Sequence, residues 1–257
     1  MKVAAVQIGA TQDKGQNYLK ILNYIDLAFK RFGKLDLICL PELCYALPDQ
    51  GDTKNIVETC EDFSKKFAPV ARENNAYLVA GSFPEISPEG KVYNTCLVFD
   101  RKGERIASYR KIHLFDALGR KESDVFSPGR EAIVFRTEFG PVGVMICYDL
   151  RFPEMHGQLV KKGAKVIAVP AAFYSPRIDH WEILNRFLAM NTQCYVVAAN
   201  QIGNMRNEKR VFCGRSTIVD PWGVAVATAS DKETVCFAEL DFPYQEQVKE
   251  RLPLWRE

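Results

Sequence analysis

Val142-Gly-Val-Met-Ile-Cys-Tyr-Asp-Leu-Arg-Phe-Pro-Glu154 is the segment on which the reading of the fold turns. Val142 to Ile146 is an apolar run of strand length. Pro153 suits the first turn of a helix, where its fixed φ and missing N–H do no harm. Cys147 therefore sits at a strand-to-helix turn. There a sulfur can be exposed while neighbouring backbone N–H groups converge on whatever it attacks. A thiol in an apolar run is more commonly buried and inert, so the segment alone leaves both readings open.

Apolar runs of similar length recur at residues 3–8, 35–40, 77–82, 95–99, 133–135, 166–169, 195–199, 217–219 and 235–238, and each predicts a strand. Helical periodicity lies between some of them. Tyr18, Ile21, Leu22, Ile25 and Phe29 share one face, as do Phe63, Phe67 and Val70, and residues 153–162 and 180–190 predict two more helices. The early order is strand, helix, strand, helix, strand, then a strand pair around Gly90 and Gly103. From Val142 the order repeats and ends in a hairpin around Pro221-Trp-Gly223. Helices that alternate with strands must cover a sheet face. Two such halves predict an α/β fold with the sheets packed together and the helices outside. No linker rich in Gly, Ser or Pro divides them, so residues 1–257 are expected to form a single domain.

The composition excludes several classes. A net charge of +2 on 257 residues, with the basic residues dispersed, gives no nucleic-acid or membrane footprint. No apolar run has the length of a membrane span. The first residues read as a strand without a signal peptide's cleavage site. The eight cysteines form no Cys-x-x-Cys pair, and the three histidines match no metal-ligand spacing. The expectation is a cytoplasmic protein with no metal, cofactor or disulfide framework.

Three polar residues end apolar strands, the position at which a parallel α/β sheet carries its site. Glu42 follows Leu37-Ile-Cys-Leu-Pro41, Lys111 follows Ile106-Ala-Ser-Tyr-Arg110, and Cys147 follows residues 142–146. A carboxylate can take the thiol proton. The lysine, or the N–H of Tyr148, can hold the oxyanion that attack creates. Each residue also has an ordinary reading, as a cap, a solvated charge or an inert thiol.

Leu40-Pro-Glu42, Tyr109-Arg-Lys-Ile-His113 and Ile146-Cys-Tyr-Asp-Leu-Arg-Phe-Pro-Glu154 together resemble the three signature segments of the nitrilase superfamily of carbon–nitrogen hydrolases. The resemblance extends to Gly81-Ser82, Phe126-Ser-Pro-Gly129, His180-Trp-Glu182, Gly214-Arg-Ser216 and Asp220-Pro-Trp-Gly223. It implies a four-layer α-β-β-α sandwich and a catalytic triad of Glu42, Lys111 and Cys147. It also implies a second active-site glutamate shortly after the lysine, at Glu122, and association into a homodimer or a higher homo-oligomer. The implied reaction is attack by Cys147 on a small amide, release of ammonia, and hydrolysis of a thioester by water.

Pro170-Ala-Ala-Phe-Tyr-Ser-Pro-Arg-Ile-Asp-His-Trp-Glu182 resembles the corresponding loop of ω-amidases and deaminated-glutathione amidases. The resemblance implies a substrate with an amide at one end and a carboxylate at the other. Arg177 is then the cation for the carboxylate, since its fork suits bidentate pairing, and Phe115, Phe173 and Tyr174 are expected to wall the pocket. A carbamoyl amino acid or a nitrile could use the same triad, and a silent binding protein could share the fold. Arg151, four residues past Cys147, is expected to be a buried ion-pair partner bracing the turn with Asp149. One departure stands out. Leu188 and Asn191 occupy positions where relatives of this type carry an arginine and a glutamate, which predicts an altered pocket floor or interface. The chain also stops at Glu257, short of the tail such relatives use at their interfaces.

Overall fold

Side chains alternate across a strand with a period of two. In the computed structural model, which describes residues 1–48, 53, 55–204 and 211–255, that alternation divides the first strand, β1 (Lys2–Gln7), between two cores. Val3 and Ala5 join the cluster that contains Val142, Val169 and Val196. Ala4 and Val6 join a cluster with Ile21, Ile25, Phe63 and Phe67. One face of the strand thus packs on a second sheet and the other on helices.

After β1 the chain runs through α1 (Lys14–Phe32), β2 (Leu37–Cys39), α2 (Cys60–Asn74), β3 (Tyr77–Val79), β4 (Phe83–Ile86), β5 (Val92–Phe99) and β6 (Arg105–Arg110). It continues through β7 (Ile133–Thr137), β8 (Gly140–Val144), α3 (Pro153–Lys161), β9 (Val166–Ala171), α4 (Ile178–Thr192), β10 (Tyr195–Asn200), β11 (Ile202–Asn204) and β12 (Val211–Cys213). The last elements are β13 (Thr217–Val219), β14 (Ala225–Thr228), β15 (Thr234–Glu239) and α5 (Phe242–Arg251). Among the described residues, one sheet has the order β15-β1-β2-β3-β5-β4 with β6 paired to β5, and the other β14-β13-β10-β9-β8-β7. The cores β1-β2-β3 and β8-β9-β10 are parallel.

Local signals account for the helices. Asp13 caps α1 by accepting from Gln16 N–H at 3.0 Å, and Thr59 caps α2 by accepting from Asp62 N–H at 3.1 Å. Ile21, Ile25 and Ala28 of α1, and Phe63, Phe67 and Val70 of α2, recur at helical spacing and are buried against the first sheet. Met155 and Leu159 of α3, with Trp181, Leu188 and Ala189 of α4, belong to the second sheet's core. The result is the four-layer α-β-β-α sandwich. No helix among the described residues is long and apolar enough to cross a membrane.

Two features depart from the reading by halves. β15, from the end of the chain, crosses back to pair antiparallel with β1 and extends the first sheet. The α5 helix follows it in a segment rich in charge, with only Gln245 and Val248 buried. It is started by the Asp241 carboxylate, which accepts from Tyr244 N–H at 3.2 Å, and by a proline in its first turn.

Candidate active site

Cys147 lies three residues past the end of β8, after the extended Ile146, and opens a short 3-10 turn, Cys147–Arg151, before α3. Its φ is +47°, a left-handed conformation that a residue with a Cβ adopts only under constraint. Asp149 supplies that constraint. Its buried carboxylate accepts from Ile146 N–H at 2.9 Å and from the Tyr109 hydroxyl at 2.6 Å. It also accepts from His113 N–H at 3.0 Å and lies 2.7 Å from His113 Nδ1. Burial, and then the neighbouring Asp149 carboxylate, hold the Tyr109 phenol well above its usual pKa, so it stays a donor. Tyr109 and His113 flank Lys111, and one aspartate therefore ties the thiol's turn to the lysine's strand.

Two glycines permit close approaches elsewhere. Gly81, at φ +65°, lies where a Cβ would fall 2.2 Å from the Pro41 carbonyl oxygen, and Ser82 Oγ accepts from Leu43 N–H at 3.0 Å. These contacts fix the turn that carries Glu42. Gly129 donates to the Lys111 carbonyl at 2.8 Å, and a Cβ there would meet the Arg110 carbonyl at 2.0 Å. The segments around Gly81 and Gly129 thus clamp the chain on either side of the two charges.

The structure brings Glu42, Lys111 and Glu122 into one buried charge cluster. Lys111 Nζ donates to Glu42 Oε1 at 2.9 Å and to Glu122 Oε1 and Oε2 at 3.0 and 2.9 Å. Burial alone would lower the lysine's pKa, but the carboxylates of Glu122 and Glu42 outweigh it and raise it well above the ordinary value. Glu42 Oε2 accepts from Ala172 N–H at 2.8 Å, and Glu122 Oε2 accepts from Phe115 N–H at 2.6 Å. Desolvation and then the charge of Glu42 raise the Cys147 thiol well above the usual range, against the opposing pull of Lys111. At neutral pH the sulfur therefore keeps its proton until a base removes it.

These four residues line a cavity of about 500 Å³ that also includes Phe115, Tyr148, Phe173, Tyr174 and Arg177. Phe115 packs edge-on against Tyr148, with ring centroids 5.0 Å apart. Phe173 lies against the buried Trp181, whose indole donates to the Arg215 carbonyl at 2.7 Å. Asn94 and Arg120 carried no signal in the sequence. Asn94 Nδ2 donates to Glu42 Oε1 at 2.9 Å and to Glu122 Oε1 at 3.3 Å. Arg120 lines the cavity and donates to the Tyr174 hydroxyl.

Arg151 departs from expectation. It is half-buried rather than buried, and among the described residues it pairs with no carboxylate, because Asp149 is committed to Tyr109, Ile146 and His113. Instead it lines the cavity, donates to His180 Nδ1 at 3.1 Å, and lies 5.5 Å from the Phe173 ring centroid. Leu188 and Asn191 do not line the cavity. Leu188 is fully buried in the outer layer, and Asn191 Nδ2 lies 3.5 Å from His156 Nδ1. An apolar residue at 188 fits that core without needing an ionic partner.

Known proteins resemble this chain over its whole length. The carbon-nitrogen hydrolase family profile matches residues 2–250. An omega-amidase from Xenopus tropicalis is 36% identical over 268 residues, covering 100% of this chain and 94% of the relative. A deaminated glutathione amidase from Bos taurus is 35% identical over 268 residues, covering 99% of this chain and 80% of the relative. Saccharomyces cerevisiae Nit3, described as a member of branch 10 of the nitrilase superfamily, superposes with a TM-score of 0.92 at 32% identity. The match covers 100% of this chain and 96% of that structure.

Proposed function

The chain belongs to the carbon-nitrogen hydrolase family and is an amidase, and we propose that its substrate is a small dicarboxylate monoamide cleaved through a thioester on Cys147. The observation that carries the substrate class is cationic. Arg151 and Arg177 line the same cavity as Cys147, and among the described residues neither forms an ion pair with a carboxylate. A guanidinium facing a cavity without an acidic partner is matched by a ligand carboxylate. The relatives named omega-amidase and deaminated glutathione amidase agree with this class.

In the proposed reaction Glu42 takes the thiol proton as Cys147 Sγ bonds to the amide carbonyl carbon. The carbonyl π pair moves to oxygen, where the Lys111 charge and the Tyr148 N–H stabilise it; one such donor contributes about 3–4 kcal/mol. Collapse breaks the C–N bond, and the leaving nitrogen takes the proton from Glu42 and departs as ammonia. Water then attacks the thioester, giving a proton to Glu42. Collapse of the second tetrahedral species expels the sulfur, which recovers that proton, and frees the acid.

The test is ammonia release from succinamate, 2-oxoglutaramate, a neutral aliphatic amide, a carbamoyl amino acid and a small nitrile. The carboxylated amides are expected to be the best substrates. Arg177→Ala should raise KM for succinamate by about tenfold or more, the size of a lost charged hydrogen bond, and leave the neutral amide within about twofold. Equal effects on both would refute the carboxylate role. Preference for the carbamoyl compound or the nitrile would overturn the amide assignment.

We also propose a homodimer. Ile183, Phe187 and Met190 recur along the outer face of α4 and are exposed, as are Trp222, Val224 and Val226 of the neighbouring hairpin. Met190 meets that hairpin, since a Cβ on Gly223 would lie 2.4 Å from its Cγ. An exposed apolar surface of this kind marks an interaction face. Light scattering should give twice the chain mass, and Phe187→Glu should reduce it to one. A wild-type monomer at micromolar concentration would refute the proposal.

A further inference from the structure

Counting acceptors in the charge cluster separates the two glutamates. Each carboxylate oxygen offers about two lone-pair directions. Glu122 uses all four: Oε1 accepts from Lys111 and Asn94, and Oε2 from Lys111 and Phe115 N–H. Glu42 Oε1 is likewise filled by Lys111 and Asn94, both at 2.9 Å. Among the described residues Glu42 Oε2 accepts only from Ala172 N–H, so of the four oxygens it alone keeps a lone-pair direction open.

We infer that Asn94 is a positioning residue that makes Glu42 Oε2 the site's one proton acceptor, by filling Oε1 of both glutamates at once. Asn94 is fully buried on β5. Its carbonyl oxygen accepts from Lys111 N–H at 2.9 Å, so the same residue also sets the backbone from which the lysine projects. Its orientation is forced, because both neighbouring oxygens are acceptors and only the amide NH₂ can face them. The consequence is that Asn94 Oδ1 is buried with no partner among the described residues. The fold tolerates the defect, and the two hydrogens of Nδ2 go to the two carboxylates.

The inference rests on the reading of Cys147 as nucleophile and Glu42 as base, and the test separates the two. Asn94→Leu keeps the branched skeleton of four side-chain heavy atoms, removes both donors and removes the orphan acceptor. Each glutamate retains Lys111, so the thermal midpoint is expected to hold or rise. The kcat for succinamate should fall by about 10- to 100-fold, as when a group that orients a catalytic one is lost, with KM within about threefold. The acid limb of kcat should move to higher pH, because a donor to the proton acceptor has gone. Asn94→Asp, isosteric but adding a charge, should lose at least as much kcat. The inference is overturned if Asn94→Leu keeps kcat within threefold with an unchanged pH profile, or if both variants lose stability in proportion to activity. Turnover by Cys147→Ala would instead remove the underlying reading, whatever the Asn94 variants do.

Discussion

Cys147→Ala should lower kcat/KM for ammonia release by at least about 10⁴-fold, the scale seen when a nucleophile that acts as one unit with its base is removed, and should leave the fold unchanged. The structural cost is small because Cys147 is a half-buried residue of the cavity wall and the turn is held by others. Asp149 fixes Ile146, and Tyr109 and His113 fix Asp149, with no contribution from the thiol. The strain of φ +47° is the same for alanine. A stability change within about 1 kcal/mol is therefore expected, as for substitutions that break no buried network. The raised thiol pKa sharpens the expectation. A sulfur that holds its proton at neutral pH is inert without Glu42, so Glu42→Gln should lose nearly as much activity. Mass spectrometry of wild-type enzyme quenched during turnover should show an acyl adduct on Cys147. Residual ammonia release above about 1% by a folded Cys147→Ala would rule out the thioester route, since the uncatalysed remainder lies far below that level.

The sequence exposes what depends on neighbours along the chain and hides what depends on neighbours across it. The alternation of Val3 and Ala5 against Ala4 and Val6 is local, and it already contains the two-core arrangement. So are the helical spacing of Phe63, Phe67 and Val70 and the strand-end positions of Glu42, Lys111 and Cys147. The pairing of β15 with β1 joins residues more than two hundred positions apart, and no local pattern announces it. Asn94 is a further case. Within Val92-Tyr-Asn-Thr-Cys96 it is one polar residue in a strand, and its meaning comes only from Glu42 and Glu122, on two other segments. Arg151 departs from its sequence-based expectation for a related reason. Its nearest acid in sequence is Asp149, but three donors brought from other positions had already taken that carboxylate. Glu122 is implied by the family resemblance alone, since Lys121-Glu-Ser123 looks like an ordinary exposed loop until it folds back onto Phe115 N–H.

Lys111→Met should damage both stability and catalysis. The Lys111 side chain is 2% exposed, and its ammonium is the only cation that an ion pair links to either Glu42 or Glu122 among the described residues. Removing it leaves two carboxylates facing each other across a buried site, and breaking such an arrangement costs about 3–5 kcal/mol. For a chain of this size that lowers the thermal midpoint by on the order of 10 °C. Activity should fall by at least about 10³-fold, because the charge proposed to stabilise the oxyanion disappears with it. The stability component should be partly reversible. Adding Glu122→Gln removes one of the uncompensated charges, and the double variant is expected to regain more than half of the lost stability. It should regain none of the lost turnover, because the cation is still absent. Calorimetry and the ammonia assay on both variants read the two effects separately. A single variant that melts within about 2 °C of wild type, less than one kcal/mol at this chain length, would show that the cluster carries no buried charge imbalance. Recovery of turnover in the double variant would show that Lys111 serves only to neutralise Glu122.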